Sequence, residues 1–277
     1  MALCYVNGSL VDERDANVSA LDHGFVVGDG VFETVLLRSG RPFALRRHLE
    51  RITRSAVGLG IEPPDAEELA RATREVVAAS GLADGRIRIT VTDGIGPLGS
   101  ARLAGPRTVV VAVAPPDVDH REHCSVAVPP WRRNERGALS GLKTTSYGEN
   151  VRALSWAAER GADEAIFANT RDELCEGTGS NIFVVRAGVT LTPPLSSGCL
   201  AGVTRALVIE THGAVERDLP IAEFRSGAID EAFVTSSLRG VQPVAAIDGV
   251  PLALCPGPVT EKAAEAYLAL LAASDEP

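Results

Sequence analysis

The sequence contains no cluster of lysine and arginine, and its 277 residues carry a net charge of −9. Phosphate backbones are bound by basic surfaces, so a nucleic-acid partner is excluded, although a local anion site is not. Cysteine is sparse and odd in number: Cys4, Cys124, Cys175, Cys199 and Cys255 are scattered and form no Cys-x-x-Cys pair. That spacing supports neither a disulfide framework nor a zinc ribbon, and a reducing cytoplasm is the expected compartment. No apolar run approaches the roughly 20 residues of a membrane span, and the stretch before Asn7-Gly8 has no basic segment leading into an apolar one. Neither a signal peptide nor a membrane partner is expected. Apolar character is plentiful: 45% of the residues are hydrophobic, ample for the core of one large or two modest domains.

Strand and helix signals run in blocks. Cys4 to Val6, a turn at Asn7-Gly8, and Ser9 to Val11 read as a hairpin, and a second hairpin is expected from Val31 to Leu37, Ser39-Gly40, and Arg41 to Leu45. Helical periods run from about His48 to Leu59 and from Asp65 to Ala79, each stopped by a glycine, Gly60 and Gly81. Strands return over Arg86 to Thr92 and Thr108 to Ala114, and Pro115 to His120 reads as a linker. Downstream, a helix is expected from about Tyr147 to Glu159, strands at Glu164 to Ala168, Asn181 to Val185 and Ala232 to Thr235, a helix after Gly202, and a last one from about Val259 to Ala272. The pattern predicts an α+β protein: a smaller N-terminal domain (1–117), a linker (118–130) and a larger C-terminal domain (131–277).

Within that frame, Lys143 is the one charged side chain between Arg136 and Glu149, among small, apolar and hydroxylic residues. An ammonium in apolar company has its pKa depressed and becomes a nucleophile able to form a Schiff base; a lysine in a surface loop is the plainer alternative. Glu176 precedes a glycine-rich turn, Gly177-Thr-Gly-Ser180, which leads into an apolar strand, where a carboxylate can stand at a pocket floor. The glycine- and serine-rich stretch Pro193 to Gly202 feeds a helix start near Thr204, whose free N–H groups suit a phosphate; simple capping by Thr204 is the alternative. A second hydroxyl-rich strand end, Val234-Thr-Ser-Ser-Leu-Arg-Gly240, offers further anion contacts.

In this order, Gly28-Asp-Gly-Val-Phe-Glu-Thr34, His48-Leu-Glu-Arg-Ile-Thr-Arg-Ser-Ala56, Lys143-Thr-Thr-Ser-Tyr147, Glu176-Gly-Thr-Gly-Ser-Asn-Ile-Phe183, Gly202-Val-Thr-Arg205 and Thr235-Ser-Ser-Leu238 resemble the class IV aminotransferases. These are pyridoxal 5′-phosphate enzymes of fold-type IV. The resemblance implies a D-amino-acid-aminotransferase-like two-domain fold with the cofactor at the domain interface. It implies that Lys143 holds the cofactor and moves the substrate proton, that Glu176 pairs with the pyridine nitrogen, and that Arg51 clamps the phosphate with Val203 N–H, Thr204 and Ser237. Tyr147 would reach the ring hydroxyl oxygen, and Asn181 would position the turn after Glu176 or serve structure alone. A homodimer is implied too, each pocket completed by the partner's copy of the loop from Gly94 to Ala101.

The members differ in reaction. D-Amino-acid aminotransferases carry an Arg-x-His pair in the loop after the strand ending near Thr92, and here Gly94 to Ala101 contains neither residue; they also favour tyrosine where this chain has Phe32. Branched-chain aminotransferases show glycine after the Phe-Glu pair and a tyrosine five residues past the lysine. This chain has Thr34, and Tyr147 four residues past Lys143. Both features, with Ser237-Leu-Arg-Gly-Val-Gln-Pro-Val244, are similar to 4-amino-4-deoxychorismate lyases. The expectation is therefore such a lyase, releasing pyruvate and 4-aminobenzoate, with Thr34 orienting the leaving group or its proton donor. The alternative is an aminotransferase taking a branched-chain L- or a D-amino acid and a 2-oxo acid. The small-molecule amino substrate is common to both. His120-Arg-Glu-His-Cys124 is set aside as a metal site because no second ligand cluster accompanies it, and Cys175 is expected as a buried apolar thiol.

Overall fold

The computed structural model describes residues 3–116, 121–226 and 228–277. The chain divides into two compact units, one made of residues 1–118, 142–147 and 275–277, the other of residues 119–141 and 148–274. The lysine segment 142–147 thus belongs to the first unit, although the sequence around it builds the second. Of the expected linker 118–130, residues 118–120 lie outside the described residues, as do 117–120 of the Pro115 to His120 stretch.

The first unit comprises β1 (Leu3–Val6), β2 (Ser9–Asp12), a short α1 (His23–Val26), β3 (Gly30–Arg38), β4 (Arg41–Pro42), α2 (Leu45–Leu59), α3 (Ala66–Ser80), β5 (Gly85–Thr92) and β6 (Thr108–Ala114). Its strands form one antiparallel sheet in the order β2-β1-β6-β5-β3-β4. The expected return strand from Arg41 to Leu45 is only two residues long, because Ala44 turns left-handed (φ 53) and α2 begins at Leu45. Gly60 and Gly81 end α2 and α3 in the left-handed conformation that glycine adopts without strain, and the Asp65 carboxylate caps α3.

Period-2 alternation sorts the sheet. Val31, Val35 and Leu37 of β3, Ile87, Ile89 and Val91 of β5, and Val111 and Val113 of β6 join Leu45, Leu49, Ile52 and Ala56 of α2 in a closed core. Each such large side chain contributes roughly 1.5–3 kcal/mol on burial. Phe32 and Thr34 of β3 project from the opposite face, as do Arg88 and Thr90, their register partners Thr34↔Arg88 and Phe32↔Thr90.

The second unit comprises β7 (Cys124–Ala127), β8 (Arg132–Arg133), α4 (Gly148–Ala158), β9 (Glu164–Asn169), β10 (Leu174–Gly177), β11 (Asn181–Arg186), β12 (Val189–Thr192), α5 (Val203–His212), β13 (Val215–Glu216), α6 (Ile221–Arg225), β14 (Glu231–Ser236), β15 (Gly240–Ile247), β16 (Val250–Pro251) and α7 (Pro258–Ala273). Its mixed sheet runs β10-β9-β7-β15-β14-β11-β12-β13, with β7 parallel to both β9 and β15. Strands β7, β10, β12 and β15 lie where the sequence pattern gave no strand, β7 inside the expected linker. Glu231, buried in β14, accepts hydrogen bonds from Val259 and Thr260 N–H and so starts α7. No helix among the described residues is long and apolar enough to cross a membrane.

Candidate active site

In the first unit, residues 142–147 are laced onto β3 and α2. Phe32 N–H donates to Lys143 O (3.0 Å), Thr145 N–H donates to Gly30 O (2.8 Å), and Lys143 N–H donates to the Ser55 hydroxyl (3.1 Å). The close approach depends on Gly28, whose φ is +72 and where a Cβ would stand 2.6 Å from Ser146 Oγ. Half-buried Lys143 is thereby directed onto aromatic surface. Its Nζ lies 4.4 Å from the Phe32 ring centroid and 5.9 Å from that of Tyr147, and the two rings meet edge to face at 5.1 Å.

Arg88 brings a second cation to the same ring, its guanidinium carbon 3.3 Å from the Phe32 centroid. The residue as a whole is exposed, but its head group is the part against the ring, and that desolvation lowers its pKa to about 10, partly offset by Tyr147 and Glu33. Thr34 stands on the same strand face as Phe32, opposite Arg88 in register.

On the other face of β3, fully buried Glu33 occupies a position that alternation reserves for an apolar residue. Arg51 Nε and Nη2 each donate to one of its carboxylate oxygens at 2.7 Å, a bidentate pair, and His48 Nδ1 lies 2.7 Å from Oε2. Burial alone would raise the Glu33 pKa. The charge and hydrogen bonds of Arg51, then those of His48, outweigh it and hold the carboxyl well below the usual range. Burial pushes the His48 pKa down, Glu33 opposing and Arg51 and Lys143 adding to the effect, so the imidazole is neutral with Nδ1–H donating to Glu33.

In the second unit, Glu176 stands on β10 where a bulge between Leu174 and Glu176 shifts the register against β9. Its Oε2 accepts from Leu200 N–H at 2.8 Å, and Arg133 Nε lies 3.3 Å from Oε1. Arg133, from β8, also lies over the Phe167 ring at 4.3 Å. Asn181 Nδ2 donates to Leu200 O (2.9 Å), and its Oδ1 fills the space where a Cβ on Gly202 would come to 2.0 Å.

Gly202, not Thr204, is the N-cap of α5, and no side chain caps the helix, which leaves the Val203 and Thr204 end of a ten-residue helix to an external acceptor. Thr235, paired with Asn181 across β14 and β11, projects on the same sheet face, and its buried Oγ1 makes no hydrogen bond among the described residues. An uncapped helix start after a glycine whose Cβ would press on the Asn181 side chain, and a buried hydroxyl without a partner among the described residues, supply donors suited to a phosphate group. Ser237, half-buried, follows the end of β14. The residues present therefore fit a phosphorylated cofactor.

The site residues expected from sequence thus divide between the units: Lys143, Tyr147, Arg51 and Thr34 in the first, Glu176, Asn181, Val203, Thr204 and Ser237 in the second. Glu33, His48, Arg88 and Arg133 were given no role from sequence, and Thr235 only a share in the hydroxyl-rich strand end offered as an anion contact. An acid at an inward strand position, followed by a histidine and an arginine three residues apart on a helix, was the available signal for the first two. Burial raises the Cys175 pKa well above the ordinary thiol value, and burial pushes Cys124 up to about 12, so both are protonated thiols. Of the His120 to Cys124 stretch, His120 lies outside the described residues. His23, Asp29 and Asp93 of the first unit lie close enough for a metal, but Arg102 donates to both Asp29 oxygens, at 2.7 and 2.6 Å, and meets that charge itself.

The model of the family "Amino-transferase class IV" matches residues 30–247. The chain belongs to the class IV aminotransferases. It is 36% identical to a Methanocaldococcus jannaschii protein named "Putative branched-chain-amino-acid aminotransferase", over 88% of each chain. It is 30% identical to the aminodeoxychorismate lyase of Bacillus subtilis, over 90% of this chain and 87% of that one. The crystal structure of a branched-chain aminotransferase from Thermoproteus uzoniensis with norvaline superposes with a TM-score of 0.90 at 34% identity, covering 98% of this chain and 95% of that one. The PLP-bound form of a hypothetical aminotransferase from Mycobacterium tuberculosis matches at a TM-score of 0.86 and 27% identity, over 97% and 98%. This class IV aminotransferase-family chain is an α+β, fold-type IV enzyme that depends on pyridoxal 5′-phosphate.

Proposed function

We propose that the enzyme transfers the amino group of a branched-chain L-amino acid to a 2-oxo acid. The observation that carries this is the surface under Lys143: an apolar aromatic pair, Phe32 and Tyr147, with the Arg88 guanidinium on the same Phe32 ring. That combination suits a substrate with a hydrocarbon side chain and a carboxylate, and the likeness to branched-chain aminotransferases supports the donor class.

Bound pyridoxal phosphate supplies an electron sink for the bond broken at the substrate α-carbon. Lys143 would carry the cofactor, and its free amine would move the proton from the substrate α-carbon to the cofactor carbon that bears the amino nitrogen. Arg88 holds the substrate carboxylate. Arg51, Val203 N–H, Thr204 and Ser237 hold the phosphate, with Thr235 as an added donor. Glu176, oriented by Leu200 N–H and Arg133, keeps the pyridine nitrogen protonated, and Tyr147 meets the ring hydroxyl. A homodimer accords with the exposed Ile95 and Leu98 of the Gly94 to Ala101 loop.

A second reading, elimination of pyruvate from aminodeoxychorismate, is favoured by Thr34 on the Phe32 face of β3 and by the Bacillus subtilis relative. The two separate in one experiment. The holoenzyme is mixed with L-leucine alone and, separately, with aminodeoxychorismate alone. Conversion of the cofactor to its pyridoxamine form by leucine, without 4-aminobenzoate from the second substrate, is the expected result; 4-aminobenzoate without any oxo acid would establish the lyase instead.

A further inference from the structure

Helix α2 holds three side chains that matter to the site: His48 and Arg51, both on Glu33, and Ser55, which accepts from Lys143 N–H. Yet its start is poorly made. The N-cap, Ala44, is left-handed and offers no side-chain acceptor, and the first turn carries Arg46, Arg47 and His48 without a single acid. Exposed N–H groups and the positive end of the helix dipole are there faced by cations, the reverse of what steadies a helix start.

The missing acceptors come from residues 275–277, part of the first unit. Both Glu276 carboxylate oxygens accept from Arg46 N–H, at 3.3 and 3.2 Å, and Asp275 O accepts from Ala44 N–H at 2.6 Å. Arg47 Nε donates to Pro277 O at 2.8 Å, and the Asp275 carboxylate pairs with Arg41 at 2.8 Å. An acidic segment some 230 positions away in sequence thus supplies the carboxylate that N-terminal capping residues normally provide locally.

We infer that segment 275–277 is the cap of α2 and acts as a positioning element for Arg51 and Lys143, so that losing it loosens the enzyme's grip on its cofactor. The inference rests on the reading that Arg51 holds the phosphate and Lys143 the cofactor. His48 is the fourth residue of the helix and lies in the turn that frays first. Fraying there removes one of the two partners that fix Glu33, and with it the orientation of Arg51.

The test compares the intact chain, a chain ending at Ser274, and E276A, all as apo-protein. Amide hydrogen exchange of Arg46 and Arg47 and the equilibrium dissociation constant for pyridoxal phosphate are measured on each. Both variants should exchange faster and bind the cofactor on the order of three- to tenfold more weakly, the effect of losing one helix cap. Adding R47E to the shortened chain, which puts an acid at the third helical position, should recover most of the affinity. Unchanged exchange, or faster exchange with unchanged affinity, would overturn the inference. R51Q in the intact chain tells the failures apart. If it too binds the cofactor normally, the proposal falls with the reading beneath it; if R51Q binds weakly while the tail variants bind normally, the tail alone is acquitted of any role.

Discussion

The candidate site residues of the two units are held by different means. The first buries formal charge and cancels it internally, Glu33 against Arg51 and His48, beneath a strand whose outer face carries Phe32 and Thr34. Those of the second rest on uncharged donors at the open start of α5 and the Thr235 hydroxyl, and on a mostly buried carboxylate, Glu176, steadied by Leu200 N–H and Arg133; the turn that follows it is held by a further buried acid, Glu164, which accepts from Thr178 N–H and the Ser180 hydroxyl and lies 3.4 Å from Arg239. Buried charge pairs are costly to break and sensitive to protons, whereas backbone dipoles are neither, so the Glu33 cluster and the start of α5 should respond differently to substitution and to pH.

The largest effect is expected at Lys143. Lys143→Ala should cut turnover by about 10²- to 10⁴-fold in a steady-state assay, since the proton-moving amine is gone. Glu33→Gln comes next. With Arg51 left buried against a neutral partner, urea unfolding should show a loss of about 3–5 kcal/mol. Glu176→Gln, at a mostly buried site where a glutamine oxygen still accepts from Leu200 N–H, should cost turnover while lowering stability by only about 1–2 kcal/mol; equal stability losses in the two variants would erase the contrast.

Proton sensitivity sharpens it. His48 titrates below its ordinary 6.5, so the unfolded chain takes up protons first, and stability should fall as pH drops below 6.5. Glu33 titrates below its ordinary 4.5, so a second loss should follow below 4.5, and Glu33→Gln should abolish that one. Hydrogen exchange resolved by residue should place both losses in the first unit.

Smaller effects belong to the second unit. Gly202→Ala forces a Cβ to within 2.0 Å of Asn181 Oδ1 and should weaken pyridoxal phosphate binding by about tenfold, measured by equilibrium dialysis. Thr235→Val removes a hydroxyl that bonds to nothing among the described residues, so apo-protein stability should stay within about 0.5 kcal/mol while cofactor affinity drops a few-fold.

How much of this was legible in the sequence follows the same division. Local signals read well: both helix-ending glycines, the first hairpin and the strands at Glu164 and Asn181 stand where periodicity and punctuation put them. Strands β7, β10 and β12 escaped because they are four residues long and lack alternation, β15 because Gly240 and Pro243 interrupt it, and β4 shrank because Ala44 turns left-handed, which no propensity favours. Lys143 stood out by its surroundings, and with Lys262 the only other lysine, the choice was narrow. Long-range pairings left no local trace. Glu33 looked like part of a motif rather than a buried charge, and nothing near Arg46 announces that Glu276 will cap it.

Lys143 as the attachment point of the cofactor is the claim on which the rest depends. The holoenzyme should be reduced with borohydride, digested and sequenced by mass spectrometry. Phosphopyridoxyl mass on the peptide containing Lys143 and nowhere else is the expected result. The same mass on Lys262, or on neither lysine, would contradict it.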